Sequence, residues 1–194
     1  MPKYDAQTAL IVVDMQNDFA DPEGSLYVRG GEAIVPVVNG EIERALRAGA
    51  FVVYTQDWHP ESTPHFAKDG GIWPVHCVGG TRGAELHPDL RLAGPAVKKG
   101  TGGEDGYSGF SVRDPETGEE HATGLAALLA ERDIERVVVV GLALDYCVKA
   151  TALDAATHGL STAVLQAATR AVNLEVGDDR RALAELERAG VRLA

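Results

Sequence analysis

Residues Arg136–Val140 (RVVVV) place four valines in a row with no polar residue alternating among them. A strand with one wet face alternates apolar and polar residues, so an unbroken apolar run is the pattern of a strand buried on both faces. Five more short apolar runs accompany it: Thr8–Val13 (TALIVV), Phe51–Thr55 (FVVYT), Ala96–Lys98, Ser161–Leu165 (STAVL) and Val191–Leu193. Stretches of helical period lie between several of them. Glu32–Ala48 sets Ile34, Val37, Val38, Ile42, Ala45 and Leu46 near one face and stops at Gly49. Gly124–Glu131 is a short amphipathic piece, and Cys147–His158 turns Val148, Thr151, Ala152 and Ala155 inward before Gly159. Asp178–Ala189 carries Leu183 and Leu186 ahead of Gly190. Strand and helix alternating in this way predict a doubly wound parallel sheet with helices on both faces. At 194 residues a single domain, residues 1–194, is the expectation.

Charge and punctuation narrow the partners. A formal net charge of -11 argues against nucleic acid and anionic membrane, which reward clustered Lys and Arg. No apolar run approaches the ~20 residues that span a bilayer. The opening MPKYDAQTALIVVD lacks the pattern of a secretory signal. Only two cysteines occur, Cys77 and Cys147, far apart, which suits a reducing cytoplasm. The expected partner is a small molecule, with room left for a homo-oligomer.

Two stretches break the alternation: Asp57–Pro95, with its Pro, Gly and His residues, and Gly100–His121, rich in Gly and acidic residues. Long irregular loops in a compact domain are commonly functional, and both leave the carboxyl ends of strands, where open α/β sheets bind ligands. Three reactive side chains belong to the same rim. Asp14 follows the first strand in VVDMQNDF, a position that by itself also suits a helix cap or Asx turn. Lys98 and Lys99 close the third strand in VKKG; successive strand residues face opposite ways, so at most one of them enters the cleft. Cys147 lies in GLALDYCVKATALDAA, after RVVVV and in the first turn of the next helix, where backbone N–H groups favour a thiolate and can hold an oxyanion. A carboxylate beside a thiol can act as its base, and a cation can keep that carboxylate ionised.

The second-strand loop adds a metal-binding pattern. Asp57 and His59 (QDWHP) stand two apart in extended chain and face one way, and His65 and His76 follow. One Asp with two or three His is a mixed O,N set that suits Zn, Fe or Mn. Phe19, Trp58, Trp73 and Tyr107 fall within the loops, where a stacking pocket for a flat ring competes with ordinary core packing. No G-x-G-x-x-G follows a strand, which leaves dinucleotide binding without support.

Together the stretches DMQNDF with GSL, DWHP followed by HFA, WPVHCV, KKG with YSGF, and GLALDYCVKATALDAA resemble the nicotinamidase/pyrazinamidase group of the isochorismatase-like cysteine hydrolases. They run in that family's order over nearly the whole chain. The resemblance implies an α/β/α sandwich with a six-stranded, mainly parallel sheet, and hydrolysis of nicotinamide, with pyrazinamide as a second substrate, to the acid and ammonia in NAD salvage. It implies a catalytic triad of Asp14, Lys99 and Cys147, selecting Lys99 over Lys98. One divalent metal, zinc first with iron or manganese as alternatives, would be held by Asp57, His59 and His76, with His65 a fourth ligand found in some members. It implies a cis peptide at Leu142–Ala143, an oxyanion hole from the N–H groups of Ala143 and Cys147, and a pocket lined by Phe19, Leu26, Trp73, Tyr107 and Tyr146. The alternative within the same chemistry is a cysteine amidohydrolase for a carbamoyl, ureido or other small amide; those relatives share the triad but generally lack the metal set.

Overall fold

A computed structural model describes residues 2–194. In chain order its first half holds β1 (Thr8–Val13), α1 (Asn17–Ala20), α2 (Gly31–Arg47), β2 (Phe51–Asp57) and β3 (Ala96–Lys99). Then come β4 (Ser111–Arg113), β5 (Glu120–Ala122), α3 (Leu125–Ala130), β6 (Arg136–Leu142), α4 (Lys149–Thr157), β7 (Ser161–Arg170), α5 (Asp178–Arg188) and β8 (Arg192–Leu193). Six strands form one sheet in the order β3-β2-β1-β6-β7-β8, and every neighbouring pair is parallel. Each of the six apolar runs became one of its strands.

The unbroken apolar runs follow from helices on both sheet faces. In β1, Leu10 and Val12 join the core under α2, with Ile34, Val38, Ile42 and Ala45. Ala9, Ile11 and Val13 join the opposite core, with Leu125 of α3, Val148 just before α4, Ala152 and Ala155 of α4, and Leu186 of α5. Every β1 residue is buried. Each such aliphatic side chain contributes roughly 1.5–3 kcal/mol by leaving water. No helix of the described residues is long and apolar enough to cross a membrane.

Three local expectations are corrected. Val37 and Leu46 are exposed, at 38% and 37%, because they flank rather than occupy the α2 stripe, whose inner row also takes Val35 and Glu41. The segment Gly100–His121 is not wholly irregular: β4 and β5 pair antiparallel within it. The helix carrying Cys147 starts earlier than expected, as a π-helical turn over Leu144–Val148 that runs into α4. Such wide turns commonly occur at functional sites.

The β6 exit is tightly specified. Gly141 has φ +110°, open to glycine alone, and a β-carbon there would collide with the Val13 carbonyl of neighbouring β1. The next peptide bond, Leu142–Ala143, is cis, as the resemblance implied.

Candidate active site

Asp57 and Lys99 are direct partners across the β2–β3 register, so their side chains leave the sheet on the same face. Thr55, two residues back from Asp57, shares that face. Lys98 points the other way, its ammonium 3.3 Å from the centre of the Trp58 ring. Strand parity thus sends Lys99 into the cleft and Lys98 outward. Asp14 leaves β1 in a left-handed conformation, φ +46°, with its N–H bonded to the Thr55 carbonyl at 3.2 Å. That turn aims its carboxylate back over the sheet, where Oδ1 accepts the Thr55 hydroxyl at 2.6 Å.

The Lys99 ammonium is the hub. It lies 2.7 Å from Asp14 Oδ2, contacts Asp57 Oδ1 and the Gly106 carbonyl, and stands 3.7 Å from Cys147 Sγ. The carboxylates of Asp14 and Asp57 and the Cys147 sulfur all lie within 4.8 Å of one another. Asp14, Asp57 and Lys99 are buried, with Lys99 only 1% exposed. Burial works against the lysine's charge, but Asp14 and Asp57 outweigh it and hold its pKa well above the usual lysine value. Burial likewise pushes Asp57 up, yet Lys99, His59 and His76 together hold it well below the usual carboxylate range. For Asp14 burial wins over the pull of Lys99, and its carboxyl is raised. Burial also raises the Cys147 thiol, which therefore rests protonated beside a carboxylate with heightened proton affinity.

A histidine cluster adjoins this hub. One ligand nitrogen from each of His59, His65 and His76 lies within 4.8 Å of the others. Asp57 Oδ2, the oxygen facing away from Lys99, is 3.8 Å from Nε2 of both His59 and His76. Burial lowers His76 to about 4 and lowers His65 as well, leaving neutral imidazoles with lone pairs to donate. His76 Nδ1–H bonds the Pro74 carbonyl at 2.7 Å. Both ring nitrogens of His59 are buried and bonded to nothing. An orphaned buried imidazole between two more and a carboxylate oxygen fits a divalent cation of the Zn, Fe or Mn kind.

The polar residues of DMQNDF build the frame. Gln16 Nε2 donates to the carbonyls of Asp57 and Ala84 at 2.7 and 2.8 Å, and its Oε1 accepts the Asp57 N–H at 2.9 Å. Asn17 bonds the Arg82 carbonyl. Asp18 accepts the Cys77 N–H at 2.7 Å, which fixes the chain next to His76.

Between the hub and the surface lies a cavity of about 420 Å³ including its mouth. Phe19, Leu26, Trp73, Tyr107 and Tyr146, the five side chains named from the resemblance, all line it, with Ala143 and Cys147 at its wall. Trp73 Nε1–H bonds the Tyr107 hydroxyl at 2.9 Å, and Trp73 packs edge-on to Tyr146. Slots walled by aromatics with few polar groups suit a flat, uncharged ring.

Asp145, just before Tyr146, is a residue the sequence reading passed over. Its buried carboxylate accepts the N–H groups of Val172 and Asn173 at 2.9 and 2.8 Å, tying the segment after β7 to the π-helical turn. Val172 lines the cavity. Asp145→Ala is expected to lower unfolding free energy by about 1–3 kcal/mol in urea titration and to raise KM, because two N–H groups lose their acceptor.

The chain matches the Isochorismatase domain over residues 8–194. It belongs to the isochorismatase family. Among this family's members it is similar to the nicotinamidase of Acinetobacter baylyi, with 38% identity over 95% of this chain and 90% of that one. Of solved structures, the pyrazinamidase of Pyrococcus horikoshii in complex with zinc superposes with a TM-score of 0.86 and 41% identity, over 97% of this chain and 98% of that one. PnC1 from L. infantum in complex with nicotinate gives 0.89 and 39%, over 100% and 95%. The three-layer architecture is thus that of isochorismatase-like hydrolases.

Proposed function

We propose that this isochorismatase-family chain is a metal-assisted cysteine nicotinamidase, hydrolysing nicotinamide to nicotinate and ammonia and accepting pyrazinamide as a second substrate. The observation that carries the reading is the Cys147 thiol beside the Asp14–Lys99 pair, one carboxylate away from the histidine cluster. Relatives named nicotinamidase and pyrazinamidase, and a neighbour holding nicotinate, support the substrate.

In this mechanism Asp14 takes the thiol proton as Cys147 Sγ attacks the carboxamide carbon. Lys99 keeps Asp14 ionised and in place until then. The N–H groups of Ala143 and Cys147 hold the tetrahedral oxyanion, worth roughly 3–4 kcal/mol per donor in comparable sites. Asp14 returns its proton to the departing nitrogen, and ammonia leaves a thioester on Cys147. Asp14 then accepts a proton from a water that attacks the thioester, releasing nicotinate and the thiol. Asp57, His59, His65 and His76 would hold one divalent metal, zinc in our reading. Bound there, it supplies a Lewis-acid anchor for the ring nitrogen of the substrate. A thiol nucleophile of this kind suits a reducing cytoplasm, and the product suits NAD salvage.

Ammonia release from nicotinamide by the purified protein tests the reading. Turnover should fall by about tenfold or more after chelation and return with added Zn²⁺. Release from carbamoyl compounds but not from nicotinamide, by the metal-loaded protein, would overturn it.

A further inference from the structure

His65 differs from the other two histidines in what fixes its ring. Its Nδ1 is 2.6 Å from Asp105 Oδ1, and since a carboxylate only accepts, Nδ1 carries the proton and Nε2 is left with the lone pair. The His76 ring is held instead by a backbone carbonyl, which adds no net charge. Asp105 comes from the other long loop, 40 residues further along the chain. Its own backbone is fixed: its N–H bonds the Arg113 carbonyl at 2.8 Å, and the Arg113 N–H returns a bond at 3.0 Å. Arg113 belongs to β4, so the small hairpin anchors the carboxylate. Two residues away on each side, the Thr63 hydroxyl bonds the Gly103 carbonyl at 2.6 Å and also accepts the His65 N–H at 3.2 Å. The loop bearing the histidines and the loop leaving Lys99 are thus joined at two successive points.

We infer that Asp105 is a positioning residue for the metal centre: its carboxylate fixes the tautomer and orientation of His65 and strengthens Nε2 as a fourth metal-binding nitrogen. The inference rests on His65 binding the metal. A carboxylate on the far nitrogen of a ligating imidazole raises its basicity and limits its rotation, and losing such a partner commonly weakens metal affinity 10–100-fold. The β4–β5 hairpin, polar and largely exposed, thereby acquires a role: through Arg113 it anchors the residue that positions His65.

The test is the Zn²⁺ dissociation constant of the full chain, stripped of metal and titrated against a competing chromophoric chelator. It compares the parent with Asp105→Ala, Asp105→Asn, His65→Ala, His59→Ala and the Asp105→Ala/His65→Ala pair. Thermal unfolding of each metal-free form checks folding. Asp105→Ala should weaken Zn²⁺ binding by about 10–100-fold, and Asp105→Asn by less, since the amide oxygen still accepts the Nδ1–H. Without His65, removing Asp105 should change affinity by less than about twofold, because it acts through that ring. Parent-like affinity in Asp105→Ala alongside a weakened His65→Ala would reduce Asp105 to a loop tether and overturn the inference. Equal losses from Asp105→Ala with and without His65 would overturn it too. Parent-like affinity in both His65→Ala and His59→Ala would instead remove the metal reading itself.

Discussion

Cys147→Ala is expected to cut ammonia release from nicotinamide by about 10⁵-fold, a loss typical of removing a nucleophile that acts as one unit with its base. The effect is large because no other group can take its place. Cys77, the second free thiol, is fully buried in the core on the α2 side, away from the cavity wall. Burial raises the Cys77 thiol as it does that of Cys147, but the Cys77 sulfur faces the Gly83 carbonyl rather than a carboxylate base. What survives in Cys147→Ala is the backbone N–H groups proposed to hold the oxyanion and the residues that would hold the metal, none of which can attack the amide carbon. Cys147→Ser should fare little better, since a hydroxyl is a far poorer acid than a thiol and Asp14 is matched to the latter. Steady-state ammonia release, with bound metal and melting temperature measured in parallel, separates loss of chemistry from loss of fold. Turnover within tenfold of the parent would exclude the thioester.

Lys99→Met should combine loss of activity with the largest loss of stability among single changes at the hub. Replacing the ammonium with a thioether leaves two buried carboxylates, Asp14 and Asp57, without their counter-ion. Removing one member of a buried ionic cluster costs about 3–5 kcal/mol, which for a chain of this length lowers Tm by about 10 °C. The pH dependence is diagnostic. In the parent, Asp57 is held below its unfolded value, so its contribution is present above the unfolded carboxylate pKa and fades as pH falls through the folded one. In Lys99→Met the desolvation that already raises Asp14 loses its chief opponent, so the folded Asp14 pKa should climb further above the unfolded one, while Asp57 keeps only His59 and His76 to hold it down. A carboxyl raised as Asp14 is stabilises below the unfolded pKa and loses that contribution as pH rises. Urea titrations between pH 4 and 8 should therefore show the variant gaining on the parent toward acid pH. A constant difference across that range would mean that Lys99 contributes by packing alone.

The layers were legible because burial on both faces writes itself into β1 and β6 as uninterrupted aliphatic runs. Parity along a strand was legible too: it allowed only one of Lys98 and Lys99 into the cleft, and the register with Asp57 shows which. The β4–β5 hairpin left no such trace, since its residues are partly or fully exposed and none lies in an apolar run. Asp105 and Asp145 escaped for another reason. Each acts through hydrogen bonds to segments 27 to 40 residues away, and a single carboxylate in a loop carries no period that names its partner. Gln16 is similar: within DMQNDF it reads as one polar residue, and only the folded chain shows its three side-chain hydrogen bonds spent on the end of β2 and on Ala84.

The strand order has a consequence for how such a chain comes into being. β1 is flanked by β2 on one edge and by β6 on the other, so residues near the start pair with residues 136–141. While the ribosome is still adding residues 58 to 135, β1 can zip only to β2, and one side of a wholly aliphatic strand stays open, the kind of edge that recruits other chains. Synthesis of β6 closes that edge and, a few residues later, delivers Cys147. The open edge then passes to β6 until β7 pairs with it, so the thiol, which lies between those two strands in the chain, joins the cleft before that second edge is covered.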